Sequence, residues 1–260
     1  VEGVPILGLQ VGFNAKAALA SMDLTKAGFP GPKRVFNGEH GYFKLIENDD
    51  YDISYLQENI GKLWMVNQLA HKPFPSGRLT HGLVHAIKDL KLKHGLNKDD
   101  IESIECFVPP GVYKLVARPI IDNLTTNYSK LCAKFVGASF MINDHLNIET
   151  FTEKKYLNNK DTLNFAKKIT MIKNDKLDQK VLTPQKFIIT LVNNSKFEIN
   201  IDHVYGHPKA PLSEKEYLEK FSKCCFSSTN KIDQNQVNRM LDFIFDLENK
   251  DNVIDFFKTI

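Results

Sequence analysis

The stretch Lys72-Pro-Phe-Pro-Ser-Gly-Arg78-Leu-Thr-His81 gathers two cations and an imidazole on a backbone stiffened by Pro73 and Pro75. A lysine supplies a point charge, a guanidinium a two-pronged fork for a carboxylate, and an imidazole a group that takes or gives a proton near neutral pH. Together they can neutralise the carboxylates of a small acid and move a proton beside them. His81 and Lys72 are therefore candidate catalytic residues, with Ser76, Arg78 and Thr80 as candidate substrate-binding residues. If His81 opens a helix, the unpaired amides of the first turn disfavour the imidazolium and leave a neutral base at pH 7. The same residues also read as a plain loop, with Lys and Arg solvated and the histidine assisting a cap.

Other chemistry is thinner. The chain has 34 basic residues, of which only Arg34, Arg78, Arg118 and Arg239 are arginine, so each arginine stands out as a place where a planar, bidentate donor is needed. Arg118, in VYKLVARP, is a further substrate-binding candidate or one half of a buried salt bridge, and Tyr113 beside it is a further catalytic candidate. His81 and His85 are spaced i, i+4, yet no glutamate lies between them as in HExxH and no third ligand is identifiable, so no metal is expected. Cys106, Cys132, Cys224 and Cys225 show no CxxC spacing and read as buried thiols. No Walker loop or GxSxG elbow is present, and no cofactor is expected.

The elements that must position these groups follow from periodicity. Val11 to Ala27 reads as a packed helix ending at Gly28, with a short helix or turn over 38–46 and a polar, Asn/Asp-rich loop over 48–60. Thr80 is expected to cap a helix whose stripe is Leu83, Val84, Ile87 and Leu90 and whose end is Gly95. Ile101 to Val108 reads as a strand. Tyr128, Leu131, Cys132, Phe135, Val136 and Ser139 predict one long buried helix. Phe165 to Ile172 reads as amphipathic, and KFIITLV with KFEINI as a hairpin turning at Asn193, Asn194 and Ser195. Ser213 and Glu216 form a capping-box pattern, and Val237, Leu241, Ile244 and Phe245 predict the inner face of a last helix.

A chain of 260 residues can bury a sizeable core without staples. Hydrophobic residues at 42% and charged residues at 25% exclude disorder, and the apolar runs are too short to cross a bilayer. A net charge of +3 with interleaved signs gives nucleic-acid binding little electrostatic support. The order helical, mixed, helical predicts an α+β fold: a mainly helical domain from 1–71 and 206–260, interrupted by a smaller α+β lid over 72–205, with a ligand cleft between the lobes. The segment around Tyr205, Gly206 and His207 then reads as a hinge. The opening at Val1 suggests a fragment lacking an N-terminal half, and no secretory signal is visible.

Several pieces taken in order resemble the second half of the MmgE/PrpD family. They are GFNAKAALASMDLTKAGFPGP with GEHGYF, KPFPSGRLTHGLVHA, the VPP and ARP pair, NYSKLCAKFVGASFMIND leading into FTEKKYLNN, and YGHPKAPLSEKEYLEKF. The resemblance implies a cofactor-free lyase, in the class of 2-methylcitrate dehydratase and cis-aconitate decarboxylase, acting as a homodimer on a small polycarboxylate; the thiols, the charge pattern and the short apolar runs lead to the separate expectation of a cytoplasmic protein with no nucleic-acid or membrane partner. It matches His81 to a lid histidine, Lys72 to the opening of the K-x-F-P stretch and Tyr113 to an active-site tyrosine. Leu7 and Gln10 stand where many members carry lysine and histidine. That departure keeps open a non-catalytic descendant that binds a small carboxylate or serves as an assembly partner.

Overall fold

The computed structural model describes residues 6–260, the side chains of Leu7 and Leu56 excepted, so the expectation placed on the Leu7 side chain lies outside the described residues. Two compact units are present, one up to Leu69 and one from Ala70 to Ile260. The first is helical. Helix α1 (Ile6–Lys26) carries Leu9, Val11, Phe13, Leu19 and Met22 around its circumference, all exposed, and Gln10 is exposed on the same helix. It stops at Gly28, whose φ of +91° favours glycine, and Pro30 and Pro32 bar continuation. Helix α2 (Tyr42–Glu47) places Phe43 in a stack on Tyr51. The 48–60 segment is not the uniform loop its composition predicts. Asp52 accepts the Ser54 N–H at 2.9 Å, a capping bond that opens helix α3 (Ile53–Asn59).

The second unit is built on α4 (His81–His94), which runs to Gly95 in the left-handed conformation and buries Leu83, Val84, Ile87 and Leu90 as its spacing predicts. Thr80 does not cap it. Thr80 is already in helical geometry within a 3₁₀ turn, and its hydroxyl donates to the Gly77 carbonyl at 2.8 Å. Strand β1 (Ile101–Val108) follows, then α5 (Pro110–Val116), α6 (Thr126–Ser129) and α7 (Ala133–Asn143).

The single helix read over 128–139 is thus split in two. The Lys130 carbonyl is taken by the Gly77 amide at 2.8 Å and the Cys132 thiol by the Arg118 carbonyl at 3.4 Å, so Cys132 is pulled into an extended conformation. After α8 (Glu149–Thr152), α9 (Lys154–Leu157) and α10 (Lys160–Lys167), the chain enters β2 (Ile169–Lys173). The amphipathic pattern over 165–172 therefore ends early, because β2 finds parallel backbone partners along β1 from Ile104 to Val108.

Strands β3 (Gln185–Leu191) and β4 (Lys196–Ile201) form the expected hairpin, with Asn194 at φ +67°. The sheet order is β2-β1-β3-β4, antiparallel except for the β1–β2 pair, and together with the helices this is an α+β fold. A register shift near Ile101 explains why Ile101 joins Ile104, Cys106 and Val108 in the core although it breaks their alternation.

Helix α11 (Glu214–Phe226) starts at the anticipated capping box, and α12 (Gln234–Phe245) at a second one, Asp233 with Gln236. The inner face of α12 is Val237, Met240 and Phe243 rather than Leu241, Ile244 and Phe245. Phe243 meets Phe256 of the C-terminal 3₁₀ turn edge-on, which selects that phase, and Ile244 and Phe245 are exposed. The thiols also divide: Cys106 and Cys132 are buried, Cys225 is half-buried and Cys224 is exposed.

Helices α4 and α7 pack together over the sheet, and Gly137 sets how closely. A Cβ there would lie 2.6 Å from Leu83 Cδ2 and 3.3 Å from Ile87 Cδ1. Gly137→Val should overfill this seam and lower unfolding stability by about 1–3 kcal/mol, read by denaturant titration. An unchanged midpoint would show that α4 and α7 are not packed in this way.

Candidate active site

The proline-braced stretch is tied down at both ends. The His71 amide donates to the Gly206 carbonyl at 2.8 Å, and Gly206 has φ +87° and no room for a side chain against the His71 carbonyl. At the other end the Gly77 amide is held by Lys130. Between these ties Ser76 is buried, with its hydroxyl 3.0 Å from Thr80 Oγ1 and 3.0 Å from His81 Nε2. His81 is fully buried at the start of α4 and meets the Phe74 ring edge-on at 5.3 Å. Its Nδ1 has no partner among the described residues.

Burial is the main reason that the His81 imidazolium is disfavoured. The nearby charges of Lys72, Arg78 and Lys220 add to it, hydrogen bonding to Ser76 offsets part, and the pKa falls to about 3. The neutral form expected from the helix start is present, with desolvation as the leading cause.

A cavity of about 740 Å³ lies beside this stretch. One wall is Lys72 to Pro75, a second is Phe140 with the loop 144–149, and a third is α11 from Glu216 to Phe226, extended by Ser227. Of the candidate catalytic and substrate-binding residues, the structure brings Lys72 alone to the cavity wall. Ser76, Thr80 and His81 form the buried network behind it. Arg78 is half-buried, and burial pulls its pKa down. Tyr113 is exposed on α5 and does not line this cavity.

Arg118 is buried, but among the described residues it lacks the salt bridge weighed for it. Its Nε donates to the Leu115 carbonyl at 3.3 Å, its guanidinium lies over the Tyr128 ring at 5.1 Å, and its two terminal nitrogens have no partner among the described residues.

Sequence reasoning passed over Lys220 and Lys223, an i, i+3 pair on α11, and His145 in the loop after α7. The only available signals were that spacing and a histidine next to a helix-ending Asn-Asp pair. The lining carboxylates are mostly occupied. Asp144 pairs with Lys91, and Glu219 lies 3.9 Å from Lys215.

Glu216 takes hydrogen bonds from the Tyr205 hydroxyl and from Ser213, and its carboxylate is 3.4 Å from Lys88 Nζ. Burial pushes the Glu216 pKa up, but these donors and the Lys88 charge outweigh it and hold the carboxylate at about 2. Among the described residues Lys72, Lys220 and Lys223 have no carboxylate partner, against one unpaired lining acid, Glu149. The lining is balanced in formal charge, Lys72, Lys88, Lys220 and Lys223 against Asp144, Glu149, Glu216 and Glu219, but three of its lysines stand outside these ion pairs, and a small acid with more than one carboxylate finds complementary partners in them.

The His81 environment has a pH consequence. Its folded pKa lies below the ordinary imidazole value of 6.5, so the stability it confers is complete above about pH 6.5 and is lost as pH falls toward 3. Wild type should lose about 1.4 kcal/mol per pH unit relative to His81→Gln between pH 6 and 4, measured by urea unfolding at each pH. Parallel curves for the two proteins would contradict a buried neutral imidazole.

The MmgE/PrpD C-terminal domain matches residues 74–242, which include the buried network, the 144–149 loop and α11. Cis-aconitate decarboxylase of Mus musculus is 24% identical over 229 residues, covering 82% of this chain and 44% of that protein. Cis-aconitate decarboxylase of Homo sapiens is 24% identical over 222 residues, with the same coverage. The chain thus spans about half the length of the curated relatives it matches. With the domain match extending over more than half of its residues, this chain belongs to the MmgE/PrpD family.

Proposed function

We propose that the chain serves a lyase-type reaction on a small polycarboxylate, bound in the cavity walled by Lys72, the 144–149 loop and α11. The observation that carries this reading is the set of three lysines, Lys72, Lys220 and Lys223, facing one cavity whose acids are largely committed elsewhere. Lys72 and Lys220 hold carboxylates of the substrate. Neutralising a carboxylate makes the adjacent carbon a better acid and stabilises the enolate-like charge that develops when water or carbon dioxide is lost. His81 serves from behind: neutral and bonded to Ser76, it fixes the stretch that carries Lys72. The name of the matched relatives makes decarboxylation of cis-aconitate the first reaction to assay, with dehydration or epimerisation of citrate-like acids next.

A second reading is a family descendant that binds the acid without turning it over. It is favoured by the sealing of His81 away from the cavity, which removes the sequence-designated proton carrier from direct contact with a ligand. Turnover separates the two readings, since calorimetric binding of cis-aconitate without product formation supports the second. Under either reading, Lys72→Ala and Lys220→Ala should each weaken binding of cis-aconitate or tricarballylate by about 10- to 100-fold, as expected for losing a charge-assisted hydrogen bond. Wild-type affinity in both variants would remove the cavity from consideration.

A further inference from the structure

We infer that His145 is the residue that exchanges a proton with the bound acid. This rests on the reading of the cavity as a polycarboxylate site. Chemistry at a carbon beside a carboxylate needs a group that gives and takes a proton near neutrality, and imidazole is the side chain suited to it. Among the chain's 8 histidines, His145 is the one that lines the cavity.

Its backbone is held on both sides. Asp144 sits in the left-handed conformation at the end of α7, with its amide on the Phe140 carbonyl at 2.9 Å and its carboxylate on Lys91. Leu146 is buried, and the Asn147 amide is bound by the buried Thr150 hydroxyl at 3.1 Å. The loop therefore presents an exposed imidazole from an anchored frame, in the same cavity as the lysines that would hold the carboxylates.

In the step assigned to it, a ring nitrogen of neutral His145 forms a bond to the proton of the carbon beside a substrate carboxylate. The C–H bond breaks, and its electron pair stays on carbon as the enolate, whose charge the lysines offset. In a dehydration that pair becomes the new double bond as the C–O bond breaks, and the departing hydroxide takes a proton from solvent to leave as water. In a decarboxylation the order reverses: the C–C bond breaks, its pair remains on carbon, and the His145 imidazolium supplies the proton there.

The test combines binding and turnover. Tricarballylate is titrated calorimetrically into wild type and His145→Gln, while the imidazole signals of His145, identified by their absence in the variant, are followed by NMR. The expected result is binding heat in both proteins, displacement of the His145 signals on saturation, and a kcat for cis-aconitate or a citrate-like acid lowered about 10²- to 10⁴-fold in the variant with KM within a few-fold. Binding heat with His145 signals unmoved, or an unchanged kcat in the variant, overturns the assignment and leaves the carboxylate site standing. No binding heat in wild type overturns the carboxylate site, and the assignment falls with it.

Discussion

The contact between Ser76 Oγ and His81 Nε2 is the constraint on which the site depends. It lies where water does not reach, so a charged imidazole there would carry the full cost of desolvation, with no acidic partner among the described residues to offset it. Keeping His81 neutral lets the ring pack against Phe74 and hold Ser76, which in turn faces Thr80. The proline-braced stretch is thereby seated from below, tied to Gly206 at one end and to Lys130 at the other, and Lys72 is left at the cavity wall. Residues close in sequence thus divide their labour: Lys72 faces the cavity, and Ser76, Thr80 and His81 form its support.

The opposite wall is organised around a single carboxylate. Glu216 closes the capping box at the start of α11, accepts the Tyr205 hydroxyl and sits near Lys88 of α4. Lys88 in turn lies over the Tyr205 ring at 4.7 Å. A helix whose N-terminus is fixed in this way carries its later residues into a defined direction, and Lys220 and Lys223 follow Glu216 by one and two turns. The charge balance of the cavity follows from this arrangement. Acids that serve as structural pins have their charge committed locally, while the lysines beside them do not.

Much of the scaffold was legible because it is set by local patterning. The stripe of α4, the asparagine-rich hairpin of β3 and β4 and the Ser213–Glu216 box each involve residues close in sequence, so composition and spacing suffice to recognise them. The misreadings share a cause. The break at Cys132, the truncation of the helical pattern before β2 and the phase of α12 were each decided by a partner distant in sequence: the Gly77 amide and Arg118 carbonyl, the edge of β1, and Phe256. Local periodicity carries no record of such partners.

For the site, the sequence by itself determined the chemistry available. It placed lysine, arginine and histidine on a stiffened stretch and carried the pattern of the MmgE/PrpD family, because residue type and proline content are properties of the chain. Tertiary structure alone decided which of those groups meets a ligand. His81 was drawn into the core by the stripe of the helix it begins, whereas Lys220 and His145, unremarkable in sequence, were carried to the cavity by α11 and by the anchored loop after α7. Burial and mutual position depend on residues far apart along the chain, and only the folded chain brings those together.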